Sequence, residues 1–232
     1  AYSRYMAGFC LGLMGDWSNA GLQYRLAQKL APTVRIDDRT GFIRPAPTST
    51  NEADKVEFPA ATANELVVFV LIGRSPTGDQ LLNRHRSILP AGYADVVVDG
   101  QVVGRSYELA DTMDLAFTTK EKDAIKEVAK TVTRVAMKEA TAQSIEHDNP
   151  LLGAMFRIIM IGILEQPDTR RWETLPRSLQ IARIPLSGPP NNVDIHFKTS
   201  NGVTTRTVHV GAPTVHRGGT YIVIVRDSQL VL

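Results

Sequence analysis

The densest chemistry in this 232-residue chain is the run Asp168-Thr169-Arg170-Arg171-Trp172, which sets a carboxylate, two guanidiniums and an indole side by side within residues 166–176. Tryptophan and arginine are frequent anchors of binding surfaces, so the run reads as a recognition patch on one view. On the other view, which the sequence favours, it is a structural clasp. Trp172 then covers the core, and Asp168 pairs with Arg170 or Arg171.

Other candidate chemistry is thinner. The five histidines are His85, His147, His196, His209 and His216. His196 and His209 flank a hairpin and can meet across strands, but a zinc site needs three or four ligands. The reading is exposed strand histidines and no metal site. Gly73-Arg74-Ser75-Pro76-Thr77-Gly78 resembles a nucleophile elbow, yet its second glycine comes one place late and no helix follows. Asp95 and Asp99 bracket three valines on one face of a strand, with Asp99 serving a turn. There is no phosphate loop, dinucleotide fingerprint or paired-cysteine motif. The expectation is a protein without catalytic residues, metal or cofactor.

Bulk properties narrow the classes further. A formal net charge of +2 gives no footprint for nucleic acid or an anionic membrane. The most apolar run, residues 151–164, is shorter than the roughly 20 residues a membrane span needs, so it reads as a buried helix. The single cysteine, Cys10, is expected to be a small buried hydrophobe. The run Met6-Ala7-Gly8-Phe9-Cys10 lacks the small residue and apolar stretch of a lipid-attachment site, and the sequence shows no signal peptide.

The elements that must position these residues begin with a helix–turn–helix over residues 1–34. It resembles one tetratricopeptide repeat: Gly8, Ala20, Tyr24, Ala27 and Pro32 stand at the repeat's characteristic spacing, with Gly15 and Trp17 at the turn and the start of the second helix. Gly8 and Ala20 let two helices approach, Gly15 supplies a left-handed turn, and Pro32 stops the second helix. One repeat cannot bury its own apolar face. The unit therefore belongs to a longer array or packs on the domain C-terminal to it.

Residues 35–63 read as a connector, with Arg35-Ile36-Asp37-Asp38-Arg39 as a possible helix start. The α+β C-terminal domain is expected over residues 64–232. Glu65-Leu66-Val67-Val68-Phe69-Val70-Leu71-Ile72 should be a central strand buried on both faces. The valine segments flanking Asp99-Gly100 predict a tight hairpin. A helical hairpin is expected over about 118–166. Thr118 or Thr119 caps its first helix, whose stripe is Ile125, Val128, Val132, Val135 and Ala142. Asp148 or Asn149 caps the second, with Pro150 in its first turn. The domain as a whole is expected to be β-rich, sandwich-like and antiparallel, with this helical hairpin inserted. Its residues 177–228 carry four strand-like segments, expected to form an antiparallel sheet with one wet face, and Asn201-Gly202 turns a hairpin within it.

Four segments carry a wider resemblance over nearly the whole chain: Glu65-Leu66-Val67-Val68-Phe69-Val70, Val96-Val97-Val98-Asp99-Gly100-Gln101-Val102-Val103-Gly104, Asp168-Thr169-Arg170-Arg171-Trp172-Glu173-Thr174-Leu175-Pro176, and Leu179-Gln180-Ile181-Ala182-Arg183-Ile184-Pro185-Leu186. The chain resembles a family of uncharacterised bacterial proteins, mostly predicted lipoproteins, in which tetratricopeptide repeats precede a common C-terminal domain. Their genes often lie beside that of a lipoprotein resembling an activator of penicillin-binding proteins. The resemblance implies the cell envelope, its periplasmic face and outer-membrane association through a lipid anchor, and it implies no catalytic residue. This sequence departs from it in lacking the signal peptide and acylated cysteine. The expected function is a non-enzymatic scaffold whose repeat docks envelope proteins in a peptidoglycan-synthesis complex or a flagellar-motor-type ring, with self-assembly into a larger complex. The competing expectation is a glycan- or small-ligand-binding module that uses the C-terminal sheet and Trp172.

Overall fold

A computed structural model describes residues 1–47, 56–74, 91–115, 118, 175–214 and 217–228. The chain divides into two compact units, residues 1–76 with 85–113 and 173–232, and residues 77–84 with 114–172. Every element named below belongs to the first. Asp168, Arg170, Arg171, Trp172, the helical hairpin expected over 118–166 and residues 75–78 of the elbow-like segment lie outside the described residues, apart from Thr118.

The described structure is α+β. Two antiparallel-packed helices open it, α1 (Tyr2–Leu13) and α2 (Trp17–Leu30). Gly15 between them has φ +87°, and Asp16 caps α2 by accepting from the Asn19 backbone N–H. The buried stripe of α1 is Tyr5, Gly8, Phe9 and Gly12, and that of α2 is Ala20, Gly21, Tyr24 and Ala27, with Gly21 against the Asp38 backbone. Contact between the helices is closest at Gly8, where a Cβ would lie 2.8 Å from the Tyr24 ring. No helix of the described residues is long and apolar enough to cross a membrane.

The expected helix start at Arg35 to Arg39 is instead a small β-hairpin, β1 (Val34–Ile36) with β2 (Ile43–Pro45). Asp37 decides this. Its carboxylate accepts from the Arg39 and Thr40 backbone N–H groups and from the Thr40 hydroxyl, so it closes a turn rather than capping a helix. Gln28 of α2 completes the hairpin: its amide donates to the Val34 carbonyl at 2.7 Å and accepts from the Ile36 N–H at 2.6 Å.

Two four-stranded sheets complete the unit. The first has the order β10-β3-β7-β6, from β3 (Asn64–Ile72), β6 (Tyr107–Asp111), β7 (Ser178–Leu186) and β10 (Thr220–Asp227). The second has the order β5-β4-β8-β9, from β4 (Tyr93–Val98), β5 (Gln101–Arg105), β8 (Val193–Lys198) and β9 (Thr204–Gly211). Pairing is antiparallel except that β10 runs parallel to β3.

Ile224 of the edge strand β10 is exposed, whereas the first sheet is buried on both faces at its central strand β3. Its even residues Leu66, Val68 and Val70 join Val96, Ile195 and Phe197 of the second sheet in one core. Its odd residues Val67 and Phe69 join Tyr5, Phe9, Tyr24 and Ala27 of the helices in another. An unbroken apolar strand with no polar alternation fits such a double-sided site. The second sheet keeps a wet outer face, where Asp194, His196 and Lys198 alternate with buried Val193, Ile195 and Phe197.

The four C-terminal segments do not make one sheet. β7 and β10 belong to the first and β8 and β9 to the second. Their lengths and alternation suit either arrangement, and the choice falls to long-range pairing. Buried polar groups tie the sheets together. Ser106, at the crossing from β5 to β6, donates to Gln180 Oε1 at 2.6 Å and accepts from the Ala94 N–H, and Gln180 donates to the Gly92 carbonyl. Such a satisfied network holds the two sheets in one register.

Candidate functional site

Of the residues singled out from sequence, Gly8, Ala20, Tyr24 and Ala27 form the interface between the two helices. Pro32 is exposed two residues beyond α2. Trp17 is 58% exposed at the start of α2, with its indole against Gly12. Asp99 and Gly100 take φ of +50° and +83° in the turn between β4 and β5. Asp99 does more than turn the chain, since its carboxylate accepts from the Asn192 N–H at 2.9 Å and anchors the entry to β8. Cys10 is exposed, contrary to expectation, because it lies off the buried stripe of α1.

The two described strand histidines do not meet. His209 Nδ1 lies 2.8 Å from Asp194 Oδ1, while His196 is in register with Thr207 and Asp95. His85, His147 and His216 lie outside the described residues. Among the described residues no three metal-ligating side chains converge. Asp95 is buried between Lys198 and Arg105, at 2.6 and 3.3 Å, and the Arg105 guanidinium stacks 4.1 Å from the Tyr93 ring centre. The Lys198 ammonium is held above its ordinary pKa by its hydrogen bond to Asp95.

The most elaborate polar centre lies where the helices cover the first sheet. Arg183 of β7 grips Glu65 of β3 with two hydrogen bonds, Nε to Oε2 at 2.7 Å and Nη2 to Oε1 at 3.0 Å. Nη1 donates to the Tyr24 hydroxyl at 2.9 Å. Thr220 of β10 donates to Glu65 Oε1 at 3.0 Å. The guanidinium lies 5.6 Å from the ring centres of both Phe9 and Phe42. Beside it, the Tyr5 hydroxyl donates to the Gly41 carbonyl at 2.6 Å, and the Tyr5 and Tyr24 rings are tilted with centres 5.2 Å apart. One paired ion thus joins four strands and helices under an aromatic cover.

The side chains of Arg183 and Glu65 are only 6% and 15% exposed, so their charges act in a medium of low polarity. Burial pushes the Tyr5 and Tyr24 phenols up, against the opposing pull of Arg183. Burial also pulls on the Arg183 guanidinium, but the phenols and Glu65 outweigh it and its pKa lies above the ordinary arginine value. At neutral pH both phenols are protonated, so Glu65 is the working counter-charge. A buried bidentate pair of this kind positions elements and is costly to break by halves.

A cleft of about 570 Å³ opens on this centre. Arg183, Glu65 and Thr220 form its buried end, and Phe9, Leu13 and Phe42 wall it. The exposed residues Trp17 and Arg39 stand at its mouth. The sequence reading missed these residues, Tyr24 and Trp17 apart. The available signal was the pair of long polar side chains, Gln180 and Arg183, set among the apolar residues 179–186 of β7: each side chain proved buried, one on either face of the sheet. No protein-family model, no curated protein and no solved structure compared with this chain matches it.

Proposed function

We propose that the chain is a non-enzymatic scaffold that docks partner proteins in a bacterial cell-envelope assembly, with α1 and α2 as a tetratricopeptide unit and a helical hairpin inserted over 118–166. One observation carries the docking role. Besides the face it buries, α2 has a second apolar stripe, Leu22, Leu26 and Leu30, at the spacing of successive helical turns. Leu22 is 45% and Leu30 62% exposed, although a helix covering a sheet has need of only one apolar face. A stripe of this kind fits the groove of another helix pair. The envelope location, the periplasmic face and the candidate assemblies (peptidoglycan synthesis or a flagellar-motor-type ring) rest on the sequence resemblance alone.

The fold dictates how this is tested. Removing residues 1–34 would strip the cover from Val67, Phe69 and Ile181, so a truncated chain would be a poor control. The cleaner bait is the full chain with Leu22→Arg and Leu30→Arg, both at exposed positions. Crosslinked, mild-detergent pull-downs from envelope fractions should yield a defined partner set with the unaltered chain and lose it with the double variant. An identical partner set from both baits would remove the stripe from the docking reading.

A further inference from the structure

We propose that the cleft over the Arg183–Glu65 pair binds a small hydroxylated organic acid, a ring bearing hydroxyl groups and one carboxylate or phosphate. The inference is independent of the scaffold reading. It places ligand binding at the junction of helices and sheet, away from the outer face of the second sheet.

The size comes first. About 570 Å³ lies within the range of clefts that enclose small ligands, and holds a sugar-sized molecule with room for a substituent. The cleft's chemistry then divides by depth. At the buried end the hydroxyl hydrogen of Thr220 is spent on Glu65, and on the exposed rim that of Thr62 is spent on the Asn64 carbonyl. Glu65 itself accepts three hydrogen bonds across two oxygens and keeps lone-pair capacity. What this end offers an incoming molecule is therefore acceptors, together with the two Arg183 N–H groups not spent on Glu65 or Tyr24, and such a mixture calls for ligand hydroxyls, which both donate and accept. The threonine and carboxylate oxygens leave little for a purely apolar guest.

The mouth asks for a charge. Arg39 is exposed and forms no ion pair with a described residue. Glu65 is already neutralised by Arg183, so the cleft's formal charges, two arginines and one glutamate, leave +1. An acid group on the ligand meets that excess, and guanidinium binds carboxylate and phosphate alike. Between the two ends Phe9 and Leu13, and at the mouth the Trp17 indole, present apolar faces on which the C–H face of a sugar ring can lie. Trp17 has a large exposed area and rests on Gly12, so it is already placed at the entrance rather than recruited from the core.

The test uses the full chain carrying Trp172→Phe, which leaves Trp17 as the single indole of the two in the sequence. Its emission is titrated with glucuronate and with glucose 6-phosphate, and with glucose and inorganic phosphate as the half-ligands. The expected result is a saturable change with at least one acid sugar below about 10 mM, weakened about tenfold or more by Arg39→Ser and by loss of either half of the ligand. Which acid sugar binds more tightly tells carboxylate from phosphate. Absence of saturation with both acid sugars overturns the proposal, as does equal binding of glucose or phosphate, or an unchanged affinity in Arg39→Ser. Calorimetry on the unaltered chain and on Arg39→Ser, both keeping Trp172, reads the same outcomes should Trp172→Phe disturb the fold.

Discussion

Arg183 and Tyr24 are 159 residues apart in the chain and 2.9 Å apart in space. The contact joins the second helix to the middle of the first sheet. Through Glu65 and Thr220 it extends to the two strands beyond. The helix pair is therefore fastened by a charged hydrogen-bonded centre as well as by apolar packing. That combination fixes orientation more tightly than burial alone, because burial is indifferent to rotation about the contact.

Removing half of this centre should be expensive. Glu65→Ala leaves a buried guanidinium without its counter-charge and is expected to cost about 3–5 kcal/mol. Replacing both partners, Glu65→Leu with Arg183→Met, should recover most of that loss. Urea unfolding of the three chains measures it. A double variant no more stable than Glu65→Ala would show that the aromatic surroundings, not the paired charge, set the cost.

Gly41 should tolerate no side chain. Its φ is +75°, and a Cβ there would lie 2.4 Å from Arg183 Nη1 and 2.6 Å from the Tyr24 ring. Left-handed strain and overpacking together should make Gly41→Ala about 2–5 kcal/mol less stable. A shift in the unfolding midpoint of the full chain reads this directly. Gly100→Ala, with the same sign of φ but open space around it, should lose only about 1 kcal/mol.

Alkaline pH should loosen the helix pair. The buried Tyr5 phenol has a pKa above its ordinary value, so the folded state keeps a proton that the unfolded chain releases. The stability this contributes is whole below the unfolded tyrosine pKa of about 10 and falls as pH rises past it. Tyr24 adds in the same direction. Urea midpoints between pH 8 and 11 should decline, and Tyr5→Phe should flatten the decline while losing the hydrogen bond to Gly41. An equal slope in Tyr5→Phe would assign the alkaline loss to other groups.

The Cys10 thiol should react in the native state. It is exposed, on the side of α1 turned from the sheet. A chromogenic disulfide reagent should titrate one thiol per chain without denaturant, at a rate close to that of the unfolded protein. Reaction only after unfolding would place Cys10 inside the core, as its residue type alone led one to expect.

Local rules account for the features legible in the sequence. The apolar run from Leu66 to Ile72 could only be a strand with both faces covered, and β3 is central in its sheet. Asp99-Gly100 demanded two positive φ values and has them. Gly15 and Pro32 bracket α2 because one supplies a left-handed turn and the other cannot continue a helix. The turn at Asn201-Gly202 formed as well, with Gly202 alone at positive φ and its N–H bonded to the Thr199 carbonyl, the arrangement of a three-residue loop.

What failed was whatever depended on a distant partner. Arg35 to Arg39 reads as a helix start until Gln28 supplies the bonds that make Val34 and Ile36 a strand. β10 has the alternation of any half-buried strand, and nothing within it says that it will run parallel to β3, far away in the chain. The cleft is the extreme case. Its groups come from α1, α2, the β1–β2 turn, β3, β7 and β10, so no window of sequence contains a motif for it. By itself the sequence determined the two N-terminal helices, the turns at Gly15, Asp99-Gly100 and Asn201-Gly202, and which strand would be buried twice, because those arise from backbone torsions and the spacing of apolar side chains. Only the tertiary structure decided which strands pair and that Arg183 meets Glu65 and Tyr24, because those choices are made by packing and charge compensation between segments that share no local signal.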